Sequence, residues 1–472
     1  MEVHISLDGQ RDLSGQIYRQ VRAAILDGRL RPGDALPPTR EMARRLAVAR
    51  NTVGVAYDRL ASEGYLESRV GAGTFVRAVG RTSGAASTPS VLRPRPVWDV
   101  VSLWRARADD EPASVAYDLR VGLPDARLFP YQTWRRLVAR ELRPSASVAR
   151  GLGHPAGHGG LRAAIARHIG LSRAVRASAD DVVVTNGIQQ ALDLICRVMV
   201  GPGDGVAVED PGYPPARMLF RSLGATVVEV PVDAEGLCVD ALPDGVRVVY
   251  VTPSHQFPLG MPMSLRRRMA LVEWAERHGA VVIEDDYDSE FRFGGRPIDP
   301  LQSVDRAGHV IYVGSFSKVM LPSLRLGFLI APAPLRDALR AAKYVTDWST
   351  SLPTQAALAR FIDDGLLARH IRRMRQEYAA RHQRITTALA QDFPDRLDVV
   401  PSSAGLHVTA YATGDLAELV GRARASGVAV HTLSEVAMSP SVRPGLVFGY
   451  GAIAAPDIGP ALRRLLSDRS GV

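Results

Sequence analysis

The sequence predicts an α/β protein in two parts: a small helical domain carrying a β-hairpin, then a large domain built on a mainly parallel sheet. Three observations carry that prediction. Over the first eighty residues apolar positions recur at helical spacing between glycine stops. From residue 118 onward short Val/Ile runs alternate with amphipathic segments, and between the two parts lies a Pro-, Ser- and charge-rich stretch where periodicity fails.

At 472 residues with 46% hydrophobic content, the chain has material for two or three domains. Its two cysteines, Cys196 and Cys238, sit in apolar runs without ligand spacing, so neither a disulfide scaffold nor a metal centre is expected. No apolar run approaches the roughly 18 residues of a membrane helix, and the N-terminus lacks a signal core. A soluble, cytoplasmic protein is the expectation. The net charge of +9 and pI near 9.8 favour polyanions, a mild weight toward nucleic acid.

Leu13, Ile17, Val21 and Ile25 recur every four residues and stop at Gly28, which predicts an amphipathic helix closed by glycine. After Pro37-Pro38 a short helix is expected from about Thr39, with Met42 and Leu46 inward. A turn at 47–49 then leads to a third helix from about Arg50 to about Ser62 that buries Val53, Tyr57 and Leu60. Two helices so joined make a helix-turn-helix. Residues 65–69 and 74–77 read as a hairpin around Gly71-Ala72-Gly73, where a wing would lie. Arg40, Arg44, Arg50, Asn51, Thr52 and Arg69 remain as groups of the kinds used on phosphates and base edges. The rival reading is a helical interaction module whose arginines are merely solvated.

Residues 79–115 read as a tether, in which Trp98, Val100, Val101, Leu103 and Trp104 could form one docked turn. Strands are expected at 182–185, 206–209, 226–230, 248–252, 281–284, 310–313 and 326–330, with helices such as 191–200 and 265–278 between them. Near-continuous apolar strands separated by helices mean a sheet covered on both faces, with ligands at the strand carboxyl ends.

Candidate chemistry falls at those ends. In VIYVGSFSKVMLPSLRLGFLIAP, residues 310–332, a strand runs into small residues that present Lys318, with Ser315, Ser317 and Arg325 nearby. A lysine among hydroxyls and a cation suits Schiff-base chemistry beside a phosphate. Only Lys343 accompanies it against 56 arginines, which form no such base. The backbone N–H groups of Gly187, Ile188 and Gln189 open a helix toward an anion. Tyr213, in Asp210-Pro211-Gly212-Tyr213, offers a ring face, although such a sequence is often just a turn. Asp285 and Tyr287, in Glu284-Asp285-Asp286-Tyr287, suit a pyridinium nitrogen and a ring hydroxyl, although this cluster could also bind a metal.

The run LPPTREMARRLAVARNTVGVAYDRLASEGYLESRVGAGTFV resembles the winged helix-turn-helix DNA-binding domain of the GntR family. That resemblance implies operator binding by a dimer, with Arg40, Arg50, Thr52 and the wing at Gly73 as contacts. The order of the later motifs resembles fold-type I pyridoxal-phosphate enzymes of the aspartate aminotransferase type over about residues 116–470. It implies Lys318 for the Schiff base, Asp285 for the pyridine nitrogen, Tyr287 for the ring oxygen and Tyr213 for stacking. Ser315, Ser317, Arg325 and the Gly187–Gln189 turn would take the phosphate. The combination looks like the MocR/PdxR subfamily of bacterial regulators, with domains at 1–78 and 116–472, the smaller subdomain from about 345, and a linker at 79–115.

Three positions depart from the pattern. Leu152-Gly153-His154-Pro155 lacks the tyrosine expected to reach a neighbouring subunit's phosphate, and Phe257-Pro258-Leu259-Gly260 lacks the usual asparagine. No arginine lies on the strand 446–450, which leaves Arg443 as the candidate for a ligand carboxylate. The expectation is a homodimeric regulator that binds operator DNA and senses pyridoxal phosphate or an amine reacting with it; the alternative is an active aminotransferase with an accessory DNA-binding head.

Overall fold

The computed structural model describes residues 5–9, 11–69, 71–77, 93–109, 115–144, 153–294, 298–439 and 442–466, of which 105–109 and 466 are described as backbone only. Leu152, one of the departures noted above, lies outside the described residues. The chain forms two compact units, Met1–Pro94 and Arg95–Val472. No helix among the described residues is long and apolar enough to cross a membrane.

The first unit contains α1 (Leu13–Leu26), β1 (Ala35–Leu36), α2 (Thr39–Arg45), α3 (Arg50–Ser62), β2 (Leu66–Arg69) and β3 (Gly73–Val76). The helices fall where the four-residue spacing placed them because that spacing is one buried stripe. Ile17, Val21, Val53 and Leu60 lie in a single buried cluster, and truncating Leu60 to alanine would cost roughly 2–5 kcal/mol. The Tyr57 hydroxyl donates to the Pro37 carbonyl at 3.0 Å, tying α3 to the two prolines that lead into α2. The expected hairpin gains a third strand, in the order β1-β3-β2. A two-residue strand is too short to show a period.

The second unit opens with α4 (Val97–Asp109), inside the stretch expected to be a tether. Val97, Val101 and Trp104 form its half-buried face, α8 (Pro214–Ser222) packs against it, and Arg95 donates to the Ser222 carbonyl at 2.6 Å. The pattern is hard to see in sequence because Trp98, Val100 and Leu103 on the other face are apolar yet exposed. The rest runs β4 (Tyr117–Asp118), α5 (Tyr131–Glu141), α6 (Gly159–Arg173), β5 (Val182–Thr185), α7 (Ile188–Met199), β6 (Gly205–Asp210), α8, β7 (Thr226–Asp233), β8 (Gly236–Leu237), β9 (Val246–Val251), α9 (Leu265–His278), β10 (Val281–Asp286), α10 (Leu301–Val304), β11 (Val310–Ser315) and β12 (Gly327–Ile330). Then come α11 (Arg336–Asp347), α12 (Leu352–Asp363), α13 (Leu366–Asp392), β13 (Leu397–Val399), β14 (His407–Ala412), α14 (Leu416–Ala425), β15 (Val428–Ala429), β16 (His431–Thr432), β17 (Gly445–Gly449) and α15 (Ile458–Leu466).

Eight strands form the central sheet in the order β5-β12-β11-β10-β9-β6-β7-β8. The pairs from β11 through β10, β9 and β6 to β7 are parallel, and β12 runs antiparallel to both β11 and β5. Because β12 is reversed, its N-terminal end lies at the same edge as the carboxyl ends of β5, β6, β9, β10 and β11. That edge collects Arg325, the start of α7, Tyr213, Asp285 and the loop of Lys318. A second, antiparallel sheet, β13-β14-β17-β16, carries the C-terminal part of the unit.

Candidate functional site

Adjacent acids on β10 take opposite directions because side chains alternate along a strand. Asp286 turns to Arg173 (2.8 Å) and Tyr312 (2.5 Å), and Glu284 accepts from the backbone N–H groups of Leu301 and Gln302. Asp285 faces the other way. Its Oδ2 accepts from the Tyr250 hydroxyl at 2.6 Å, while its buried Oδ1 has no partner among the described residues. Burial pushes the Asp285 carboxyl up to about 7, against the pull of the Tyr250 hydrogen bond.

Lys318 stands in the loop that follows β11, just past Ser315 at the strand's end. Its Nζ donates to the Gly122 carbonyl at 2.6 Å. Burial holds its amine below the usual lysine range, with Asp288 and Asp285 opposing the shift. A lysine shifted this way keeps a larger neutral fraction, the form that reacts with carbonyls.

Gly187 precedes α7 at φ 82°, a conformation open to glycine, and a side chain there would meet the Arg325 guanidinium at 2.6 Å. Gly327 fits equally closely, since a Cβ would lie 2.8 Å from Gly187 Cα. The two glycines let Arg325 lie across the start of α7 and donate to the Asn186 carbonyl at 2.8 Å. Ser315 accepts from the Ser317 backbone N–H at 3.0 Å. Behind them, buried Lys343 bonds Asp347 (2.7 Å) and Gln190 (2.8 Å), and Asp347 also accepts from Asn186 and Gln190. The second lysine is therefore a structural tie between α11 and the start of α7.

Ile188, Gln189, Tyr213, Asp285, Tyr287, Ser315, Ser317, Lys318 and Arg325 all line one cavity of about 1480 Å³. Burial raises the Tyr213 hydroxyl to about 12, so it stays protonated, and its ring meets Phe257 edge-on at 5.9 Å. Tyr287 donates to the His255 carbonyl at 3.0 Å, and His255 Nδ1 lies 3.0 Å from the same hydroxyl and 3.1 Å from both Asp288 oxygens. Sequence reasoning missed this His255–Asp288 pair, and His407 beside it. Their donor atoms lie within 4.8 Å of one another, as metal ligands can, but the contacts found are mutual or to protein: His407 Nε2 lies 3.0 Å from the Pro258 carbonyl. The cluster reads as a network that orients Tyr287.

Arg443 must be corrected. It is half-exposed, pairs with Asp398 at 3.0 Å and lies over the Tyr411 ring at 4.2 Å, and it does not line the cavity.

The residues present fit pyridoxal phosphate. A pyridinium N–H requires an acceptor, and the orphaned Asp285 Oδ1 is a buried carboxylate oxygen without a donor. The α7 start with Arg325, Ser315 and Ser317 offers amides, a guanidinium and hydroxyls of the kind that hold a phosphate.

In the first unit Arg40, Arg50, Asn51 and Gly73 are exposed and Thr52 is half-buried. Arg40, Arg44 and Arg50 frame a shallow hollow at the start of α3, where Arg50 Nε donates to Thr39 at 3.3 Å. Gly73 opens the wing strand at φ 116°. Arg69 is engaged on the wing itself, bonded to Glu67 at 2.8 Å and lying over Phe75.

Residues 124–443 match the family described as aminotransferase class I and II, and residues 13–76 match the bacterial regulatory proteins of the gntR family. The chain is 39% identical over 456 residues to the probable rhizopine catabolism regulatory protein MocR of Rhizobium meliloti, covering 94% of this chain and 91% of that protein. It is 33% identical over 439 residues to the HTH-type pyridoxine biosynthesis transcriptional regulator PdxR of Corynebacterium glutamicum, covering 93% and 91%. Among solved structures it is similar to Pyrococcus horikoshii kynurenine aminotransferase, with 29% identity and a TM-score of 0.69 over 79% of this chain and 94% of that one. It is equally similar to the α-aminoadipate aminotransferase LysN of Thermus thermophilus, complexed with N-(5'-phosphopyridoxyl)-L-leucine, at 29% identity and a TM-score of 0.69 over 78% and 97%.

Proposed function

The chain belongs to the MocR/PdxR subfamily of GntR-family transcriptional regulators, and on that premise we propose that it binds operator DNA through its first unit and pyridoxal phosphate in the cavity of its second, where it senses the cofactor or an amine that reacts with it. The observation that carries the reading is the pairing, in one cavity, of a buried lysine amine with a carboxylate oxygen that has no partner. When bound, the group supplies an aldehyde reactive toward primary amines. Lys318 offers the amine, and its burial keeps part of it neutral. Asp285 would accept a hydrogen bond from the protonated ring nitrogen and keep it protonated, and Tyr250 fixes the carboxylate by holding its other oxygen. Tyr213 offers a face for the ring, and Tyr287 a hydroxyl for its oxygen, set in place by His255. Ser315, Ser317, Arg325 and the amides of Gly187, Ile188 and Gln189 take the phosphate.

In the first unit, Arg40, Arg50, Asn51, Thr52 and the wing at Gly73 supply the DNA contacts. The reading includes a cytoplasmic homodimer. Support for a second copy comes from Tyr344, Val345 and Trp348 at the end of α11, large apolar residues left exposed. Genes of vitamin B6 or amino-compound metabolism are the targets it suggests, by analogy with relatives named for pyridoxine biosynthesis and rhizopine catabolism.

The test is the visible spectrum. Purified protein given pyridoxal phosphate develops an absorbance band, and Lys318→Ala abolishes it without unfolding the chain; a band that survives Lys318→Ala ends the assignment. The alternative, an aminotransferase with an accessory DNA-binding head, requires steady turnover with a panel of amino donors, which the regulator reading does not.

A further inference from the structure

The Tyr287 hydroxyl carries one hydrogen and has two neighbours that could receive it, the His255 carbonyl at 3.0 Å and His255 Nδ1, also at 3.0 Å. Which of them does depends on the imidazole, whose neutral form has one nitrogen that donates and one that accepts. Nδ1 lies 3.1 Å from both oxygens of Asp288, and a carboxylate only accepts. The ring hydrogen is therefore on Nδ1, and Tyr287 gives its own to the carbonyl.

This pair is enclosed on every side that matters. The side chains of His255 and Asp288 are each 2% exposed. Gly405, at φ 82°, closes over them, and a Cβ there would lie 2.6 Å from Asp288 Oδ2. Among the described residues the His255 ring is the donor that meets the Asp288 carboxylate, because the neighbouring His407 turns its Nε2 to the Pro258 carbonyl at 3.0 Å. On the far side of the His255 ring, Ser402 Oγ lies 3.4 Å from Nε2, and a hydroxyl can give or accept there. Both tautomers would thus find a partner at Nε2, so the choice between them falls to Asp288. Asp288 and Tyr287 line the cavity with Lys318 and Asp285, and His255 does not.

Resting on the pyridoxal-phosphate reading above, we infer that Asp288 and His255 are positioning residues that commit the Tyr287 hydroxyl to the cofactor's ring oxygen. Asp288 keeps the hydrogen on His255 Nδ1. The Nδ1–H group then faces the Tyr287 oxygen and cannot take its hydrogen, which is left free to turn from the His255 carbonyl to the ring oxygen. In the other tautomer a bare Nδ1 at 3.0 Å would hold that hydrogen, and the ring oxygen would lose its donor.

Two measurements on the full-length protein test this. In nitrogen NMR spectra of histidine-labelled protein, His255 should carry its hydrogen on Nδ1, and Asp288→Asn should move it to Nε2. Pyridoxal-phosphate titrations followed by the visible band then form a double-mutant cycle, in which the field of the lost charge cancels. Tyr287→Phe should weaken cofactor binding by about 10- to 100-fold in the wild-type background, as one hydrogen bond to a charged acceptor provides, and by less than about twofold in the Asp288→Asn background. Asp288→Leu, similar in volume and without polar atoms, carries the same cycle should the asparagine variant not fold. His255→Asn, whose amide nitrogen can stand where Nδ1 stood, should restore most of the cost of Tyr287→Phe, and His255→Leu should not. A bare Nδ1 in the wild type, a tautomer unmoved by Asp288→Asn, or an equal cost of Tyr287→Phe in both backgrounds overturns the assignment. A wild-type protein that never shows a visible band removes the underlying reading, and the role of the pair with it.

Discussion

Asp285→Asn isolates what the buried carboxylate does for the cofactor. The amide keeps an oxygen for the Tyr250 hydroxyl, 2.6 Å from the present carboxylate, so the fold loses little. What disappears is the negative charge at Oδ1, the oxygen without a protein partner. A hydrogen bond to a charged group contributes about 1.5–3 kcal/mol, which translates to roughly 10- to 100-fold in Kd. Titrating the cofactor-free protein with pyridoxal phosphate, followed by the visible band, should therefore show binding weakened by about that factor and a shifted band. Asp285→Ala should bind as weakly and also unfold more easily, because Tyr250 is then left with a buried hydroxyl and no acceptor, at about 1–3 kcal/mol. If Asp285→Asn binds the cofactor within about twofold of wild type and with the same absorbance maximum, the pyridine nitrogen does not meet this carboxylate and the site has been read wrongly.

Lys343→Ala should destabilise the second unit by about 3 kcal/mol, the lower end for breaking a buried pair, because Asp347 keeps its bonds to Asn186 and Gln190. Chemical denaturation measures the loss, and the folded fraction should retain the visible band that Lys318→Ala removes. Arg50→Ala should weaken operator binding by about 1–3 kcal/mol while Arg11→Ala does not; equal affinities for the two variants across a salt series would rule out α3 as the recognition helix.

The central strands were readable because Val/Ile runs dominate where they cross the sheet. The run 182–185 stands unchanged as β5, and 281–284 only lengthens, to Asp286, where acids continue the extended backbone. Local chemistry was readable for a related reason: Asp285 ends, and Lys318 and Tyr287 follow, an apolar run at the edge where ligands bind. What stayed hidden depends on distance in sequence. His255 meets Asp288 across 33 residues and stands beside His407, and only the sheet order brings them together. Lys343 carried a legible signal that was passed over. In a chain with two lysines, the reasoning that singled out Lys318 applied equally to Lys343, whose buried bonds to Asp347 and Gln190 give it its own constraint. Arg443 was misplaced because its pairing with Asp398 and Tyr411 involves residues more than thirty positions away.

The central claim is that the cofactor site and the DNA-binding head act as one regulator. Ligand and operator can influence each other only if each favours one arrangement of the protein over another, and the coupling must then be reciprocal. The direct measurement is the affinity of the intact protein for an operator duplex selected from random DNA, with and without pyridoxal phosphate, in wild type and in Lys318→Ala. The account predicts that the cofactor changes operator affinity in the wild type, that the operator changes cofactor affinity by the same factor, and that Lys318→Ala loses the response. Operator affinity unmoved by the cofactor in the wild type would contradict it and leave the second unit to catalysis or structure alone.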